Sequence, residues 1–167
     1  MVHSETEIRF VCDEMLQGMG RWLRAAGYDT LIADNGEPDA ELLRLARKEG
    51  RYFLTRDRKL PLEYKGYGDV VVLLLANDLP NCVAELSGLI KINWLLAPFS
   101  RCLLCNQRLV AVGPDQQGQV TGFVPEDVWA NGQPVLYCPV CRKAYWEGSH
   151  VRRMRHRLEA FAKGHWV

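Results

Sequence analysis

Two cysteine pairs of identical spacing, Cys102-x2-Cys105 and Cys138-x2-Cys141, constrain this chain more tightly than any other feature. Two residues between thiols let one tight turn aim both sulfurs at a single point, and two such turns complete a tetrahedron filled entirely by protein. A site closed in that way is structural, and zinc suits it. The segment around it, ~70 residues with few large aliphatics, falls in the size range where a small domain needs a staple. The 32 residues between the pairs exceed the roughly 15–20 of the usual four-Cys spacing, which predicts a hairpin inserted between the knuckles. Disulfides and a redox Cys-x-x-Cys are the rival readings. The opening Met1–Phe10 segment carries Glu5, Glu7 and Arg9 and no apolar signal region, so the expected compartment is the reducing cytoplasm, and a redox pair need not occur twice. Cys12 and Cys82 read as small buried apolar residues.

The chain has 167 residues, room for one medium domain or a small domain plus a module. With 48% hydrophobic residues, 25% charged and a net charge of +1, it is neither disordered nor broadly basic. Its longest apolar run, Val70 to Ala76, is far short of the roughly 20 residues that cross a membrane, so no membrane association is expected. The charge is divided unevenly. Residues 1–98 hold 12 Lys and Arg against 15 Asp and Glu, a balance of −3, whereas residues 99–167 hold 9 against 5, a balance of +4. An acidic half that collects cations and a basic half that attracts a polyanion is one division of labour this permits.

The first half alternates strand-like and helix-like stretches. Ile8 to Cys12 is a short strand ending in Asp13. Met15, Met19, Trp22, Leu23 and Ala26 then follow helical spacing, with Gln17, Arg21 and Arg24 on the opposite stripe and Gly27 as the stop. Tyr28 to Ala33 is the next strand. Pro38 opens a helix that buries Leu42, Leu45 and Ala46 and ends at Gly50. Tyr52 to Thr55 closes on Arg56-Asp57, and Val70 to Leu75 has the unbroken apolar character of a strand buried on both faces. Asn77 to Trp94 reads as a closing helix. This rhythm predicts a parallel sheet with helices on both sides. Leu96-Ala97-Pro98 marks the expected boundary between residues 1–97 and a β-rich module, 98–167, with Asp115 to Gly118 as a hairpin tip. Val151, Met154, Leu158 and Phe161 form the apolar stripe of a final helix that also carries Arg152, Arg153, Arg155 and Arg157.

Asp13, Asp39 and Asp57 each stand at a strand-to-helix junction or in the first turn of a helix. In a parallel sheet the strands' C-terminal ends share one edge, where ligands bind, so three carboxylates distant in sequence would converge there. A convergent set repels itself unless a divalent cation neutralises it; oxygen ligands suit Mg²⁺ or Mn²⁺, which polarise a phosphodiester and activate water. Taken singly, each acid is more often a helix cap or dipole partner, and it is the three at equivalent strand ends that shift the balance. Glu14, Asp34, Glu37 and Asp78 are weaker candidates, Asp78 being well explained as a cap.

Phe10-Val11-Cys12-Asp13, Gly20-Arg21-Trp22-Leu23-Arg24, Asp39-Ala40-Glu41-Leu42-Leu43 and Leu54-Thr55-Arg56-Asp57-Arg58 occur in an order that resembles the Mut-seven C-terminal ribonuclease family, a PIN-like nuclease group. Arg101-Cys102-Leu103-Leu104-Cys105-Asn106, Val124-Pro125, Cys138-Pro139-Val140-Cys141 and Tyr145-Trp146-Glu147-Gly148-Ser149-His150 are similar to its zinc ribbon. The resemblance implies a PIN-like α/β/α sandwich with a mostly parallel sheet, followed by a small zinc ribbon. It further implies that Asp13, Asp39 and Asp57 bind Mg²⁺ or Mn²⁺ to cleave RNA.

Phosphate contacts are expected from Arg21 and Arg24 on the first helix and from Arg56, Arg58 and Lys59 beside Asp57. The tail arginines, with Trp146 and His150, would hold a single strand by charge and base stacking. The bland readings are solvated helix charges, and aromatic packing on the ribbon for Tyr145 and Trp146. The expected protein is a cytoplasmic, metal-dependent ribonuclease. Two rivals differ in class: a non-catalytic nucleic-acid-binding scaffold, which would cleave nothing, and a receiver-like phosphoacceptor, which would have no evident need of a zinc ribbon.

Overall fold

The computed structural model describes residues 8–120 and 122–166. Four strands, β1 (Phe10–Cys12), β2 (Thr30–Ile32), β3 (Tyr52–Thr55) and β4 (Val71–Leu73), form a wholly parallel sheet in the order β2-β1-β3-β4. Parallel neighbours need a crossover, and α1 (Gln17–Ala26), α2 (Asp39–Glu49) and the short α3 (Leu60–Glu63) supply it, with α4 (Leu79–Leu89) after the last strand. Period-two alternation sorts the side chains between the faces. Phe10, Cys12 and Leu54 pack with Met19 and Leu23 of α1 and Val83 and Leu86 of α4. Val11 and Phe53 pack with Leu42, Leu43 and Ala46 of α2. The result is the α/β/α arrangement the sequence predicts.

Helix α1 stops at Gly27, whose φ of +107° favours glycine. A Cβ there would also lie 2.6 Å from the Ala97 carbonyl oxygen, so the turn and the close passage of a distant segment require the same residue.

Two expectations for this half need correction. Val70 to Leu75 is not buried on both faces: β4 is an edge strand and its three residues are half-buried, while Val70 and Leu74 at its flanks are buried. Glu85 covers the end of that edge by accepting from the Leu75 and Ala76 backbone N–H groups. The closing helix is shorter than Asn77–Trp94. Asp78 caps it through the Asn81 N–H, and Ile90 turns extended at φ −131° and ψ 138°.

The second half carries an antiparallel sheet of β5 (Val110–Ala111), β6 (Leu136–Tyr137) and β7 (Ala144–Tyr145), with α5 (Glu126–Ala130) between β5 and β6 and α6 (Ser149–Ala162) at the end. The expected hairpin tip at Asp115–Gly118 is instead part of a 3-10 helix, Pro114–Gln119, and β5 pairs with β6. Pro114 has no N–H for a ladder and a φ already set for a helical turn. The valines around this turn, Val112, Val120, Val124, Val128 and Val135, are buried in a small core of their own.

Across residues 97/98 the main core is continuous. Ala97 and Phe99 donate backbone hydrogen bonds to Ala26 and Ala25 at 2.9 and 2.8 Å. Val151, Leu158 and Phe161 of α6 are buried as their spacing predicts, and Phe161 meets Trp22 and Trp94 edge-on at 5.5 and 5.2 Å. No helix among the described residues is long and apolar enough to cross a membrane.

Candidate functional site

Parallel strands deliver Asp13 and Asp57 to the same sheet edge. Asp13 directly follows β1, Asp57 lies two residues beyond β3, and Asp39 opens α2. The three line one cleft of about 270 Å³, together with Glu14, Glu37 and Met15. Asp13 is almost wholly buried, whereas Asp39 and Asp57 are half-buried. Two of the acids also do the local work the bland reading assigns them. The Asp13 carboxylate accepts from the Met15 N–H at 3.0 Å and caps the short turn Glu14–Leu16, and Asp57 accepts from the Lys59 N–H at 2.8 Å.

The electrostatics distinguish the cleft from a row of caps. None of the five carboxylates forms an ion pair with Lys, Arg or His among the described residues. Glu14 and Glu37 bond the Gly36 and Asn35 N–H groups of the neighbouring loop. Burial pushes the Asp13 carboxyl above its ordinary value, hydrogen bonds from Thr55, Met15 and Arg56 pull it back, and the nearby Asp39 charge adds to the rise. Hard oxygen donors around a cleft short of positive charge match Mg²⁺ or Mn²⁺ in type. The three aspartates are set more openly than the cysteines: among the described residues only the four thiols lie within 4.8 Å of one another. Asp78 lies outside the cleft, at the cap of α4.

Sequence reasoning missed Thr55. Its buried hydroxyl donates to Asp13 Oδ2 and accepts from the Asp57 N–H at 2.9 Å, fixing two of the three acids relative to each other. A strand-terminal Thr two residues before an acid was the available signal. Groups that orient metal ligands are typically worth ~10–100-fold in affinity or activity. Thr55→Val is therefore expected to weaken divalent-ion binding by about that factor while Thr55→Ser restores it, as measured by Mn²⁺ titration of folded protein.

The four cysteines are brought together as expected. The two knuckles share one geometry. The first Cys donates its N–H to the carbonyl five residues on (Cys102 to Gln107, Cys138 to Lys143) and accepts from the N–H four residues on (Asn106, Arg142). Asn106 and Arg142 both adopt positive φ, 72° and 62°. Asn is among the non-glycine residues that tolerate that region best. Tyr145 is structural: buried, it accepts from the Leu103 N–H at 3.1 Å and offers its proton to Cys102 Sγ at 3.3 Å. Burial raises the Cys102 thiol, but the bonds from Tyr145 and from the Leu104 and Cys105 backbone outweigh it and lower the value to about 7.

Arg24 departs from the expected solvated face. It is buried, and its guanidinium donates to the carbonyls of Thr30 and Leu103 at 2.9 Å each, tying α1 to β2 and to the first knuckle. A stripe opposite the apolar face meets solvent only where no second module covers it, and here the knuckle does. Arg21, Arg58 and Lys59 are exposed, and Arg56 bonds the Asn77 side chain at 3.0 Å. In the tail, Arg152 and Arg153 are exposed, Arg155 pairs with Glu147, and Arg157 lies over the Trp22 and Phe161 rings. Trp146, half-buried, and His150, exposed, border a cavity of about 200 Å³.

The architecture is a parallel α/β unit with acids at its strand ends, continuous with a four-cysteine module, and comparison with known proteins adds the family. The chain belongs to the Mut7-C RNAse domain family, whose model matches residues 8–158. It is also 49% identical over 47 residues to a human protein described as "Exonuclease mut-7 homolog". That stretch is 28% of this chain but only 5% of the relative, so the chain spans a small fraction of that protein's length.

Proposed function

We propose that the protein is a divalent-metal-dependent ribonuclease. The observation that carries this is the cleft lined by Asp13, Asp39 and Asp57, which have no ion-pair partner among the described residues, in a chain of the Mut7-C RNAse domain family. Asp13, Asp39 and Asp57 would hold Mg²⁺ or Mn²⁺, which supplies Lewis-acid polarisation of the scissile phosphate and an activated water. Thr55 keeps two of these carboxylates in register. Exposed Arg58 and Lys59, next to Asp57 in the chain, and exposed Arg21 on α1 would attract the phosphate backbone, and exposed Met15 offers the cleft an apolar ledge.

In this reading the cysteines hold one zinc ion in a closed thiolate site. The ribbon and α6 present Trp146, His150, Arg152 and Arg153 to the strand, while Arg155 and Arg157, already engaged by Glu147 and by aromatic rings, contribute less. A scaffold that only binds nucleic acid would use the same ribbon and leave the cleft idle. Incubating purified protein with single-stranded RNA, structured RNA and DNA, in Mg²⁺, in Mn²⁺ and in EDTA, separates the two. RNA cleavage that EDTA abolishes is expected; tight binding with no cleavage in either ion would favour the scaffold.

A further inference from the structure

The first knuckle stands on a short stem in which Arg101 and Arg108 are direct partners in an antiparallel bridge. Like charges directly opposite one another are destabilising, and among the described residues no carboxylate forms an ion pair with either. Arg101 and Arg108 line a cavity of about 380 Å³ with Arg9, Tyr28, Asp29 and Ser100, a volume within the roughly 300–1,000 Å³ of small-molecule sites.

The cavity's charges are unequally satisfied. Asp29, its carboxylate, is already held by Arg51 at 2.8 Å and by the Asn106 amide at 2.7 Å. Among the described residues Arg101 donates only to the carbonyls of Gly27 and Asn106, at 3.3 and 3.1 Å, and Arg9 only to that of Glu49. Arg108 is exposed and makes no hydrogen bond or ion pair among the described residues. Three arginines thus line one cavity, and its carboxylate among the described residues, Asp29, attracts Arg101 but bonds Arg51 and Asn106 instead.

We propose that the cavity between Arg101 and Arg108 binds a phosphate group. Planar guanidinium forks match phosphate oxygens in pairs. Arginines contributed to one cavity by separate parts of the chain suit a tetrahedral anion, which accepts from several directions, better than a planar carboxylate. The site is distinct from the carboxylate cleft. Arg9 precedes β1 and Asp29 precedes β2, so the cavity lies at the opposite end of the sheet from Asp13, about 10 Å away along a strand of this length. The phosphate has two sources, the backbone of a bound RNA or a free phosphate monoester. The RNA source rests on the ribonuclease reading, and the site itself does not.

The test uses the full chain in metal-free buffer apart from its zinc. Side-chain ¹H–¹⁵N spectra are followed while inorganic phosphate, or acetate at matched ionic strength, is added. Binding of a 12-nucleotide and a 3-nucleotide RNA is followed against salt for the parent and Arg108→Gln. Arg108 is exposed and unbonded, so the variant should fold and melt as the parent does. Phosphate is expected to shift the Arg101 and Arg108 signals saturably where acetate does not, and the effect should vanish in Arg108→Gln. RNA as the source is shown by a drop of about 0.7 in the salt slope of the 12-mer, with the 3-mer unchanged. A saturable shift with both slopes unchanged assigns the site to a free phosphate monoester. The absence of both a saturable shift and a change in slope would overturn the proposal. Failure of the ribonuclease reading would show separately, as no cleavage in a protein whose arginines still respond to phosphate.

Discussion

Asp57→Asn is expected to reduce RNA cleavage by on the order of 10³-fold while leaving the protein folded, since metal-ion stabilisation of a transition state is worth several kcal/mol and each 1.36 kcal/mol is tenfold in rate. The substitution separates two roles that one carboxylate plays. Asp57 accepts the Lys59 N–H at 2.8 Å, and an Asn side-chain oxygen keeps that bond, as it does at caps generally. What Asn removes is the charge. A purely structural Asp57 would therefore leave cleavage within about twofold of the parent, on the same capping equivalence. A second signature comes from the cleft itself, where Asp13 is buried and its carboxyl is raised by burial and by Asp39. Removing one charge from that group relieves repulsion, so without divalent ions Asp39→Asn and Asp57→Asn should melt no lower than the parent. Single-turnover cleavage rates paired with thermal melts check both statements.

Zinc removal is expected to cost the protein its parallel sheet as well as its ribbon. Zinc binding contributes an apparent ~10–16 kcal/mol of folding free energy in small structural sites, against roughly 5–15 kcal/mol for a whole native domain. In many two-module chains such a loss would stay local. Here Cys102 and Cys138 are buried in the same core as Phe10, Leu54 and Phe161. The Asn106 amide oxygen accepts the Thr30 N–H at 2.9 Å, and Arg24 donates to Leu103. Losing the knuckle would orphan these buried groups on the sheet side, at about 1–3 kcal/mol apiece. Elemental analysis of reduced protein should find one zinc per chain. Cys138→Ser, or chelation, should abolish slow amide exchange in β1 and β3; unchanged protection there would show that the two halves fold independently.

How much of this was legible in the sequence varied with the range of the interaction. The cysteine pairs, the strand-end acids and the α6 stripe are local patterns, and the structure brings the cysteines together and places Asp13, Asp39 and Asp57 on one cleft. What stayed hidden depends on partners distant in the chain. Arg24 looks like a surface residue until Leu103, 79 positions on, is known to cover it. Val70 to Leu75 reads as a central strand because apolarity does not reveal that β4 lies at an edge. Asp115 to Gly118 suggested a hairpin tip, but the flanking Val112, Val120 and Val124 serve a small core around a 3-10 turn that Pro114 starts. Thr55 stands beside Asp57 in sequence, and its importance lies in the bond to Asp13, 42 positions away.

The most direct measurement is Mn²⁺ binding followed by electron paramagnetic resonance, on zinc-loaded parent and on folded Asp13→Asn, Asp39→Asn and Asp57→Asn, with RNA cleavage measured on the same samples. The expected result is Mn²⁺ binding by the parent that weakens in each variant together with cleavage. Variants that bind Mn²⁺ and cleave RNA as the parent does would contradict a catalytic cation held by these three carboxylates.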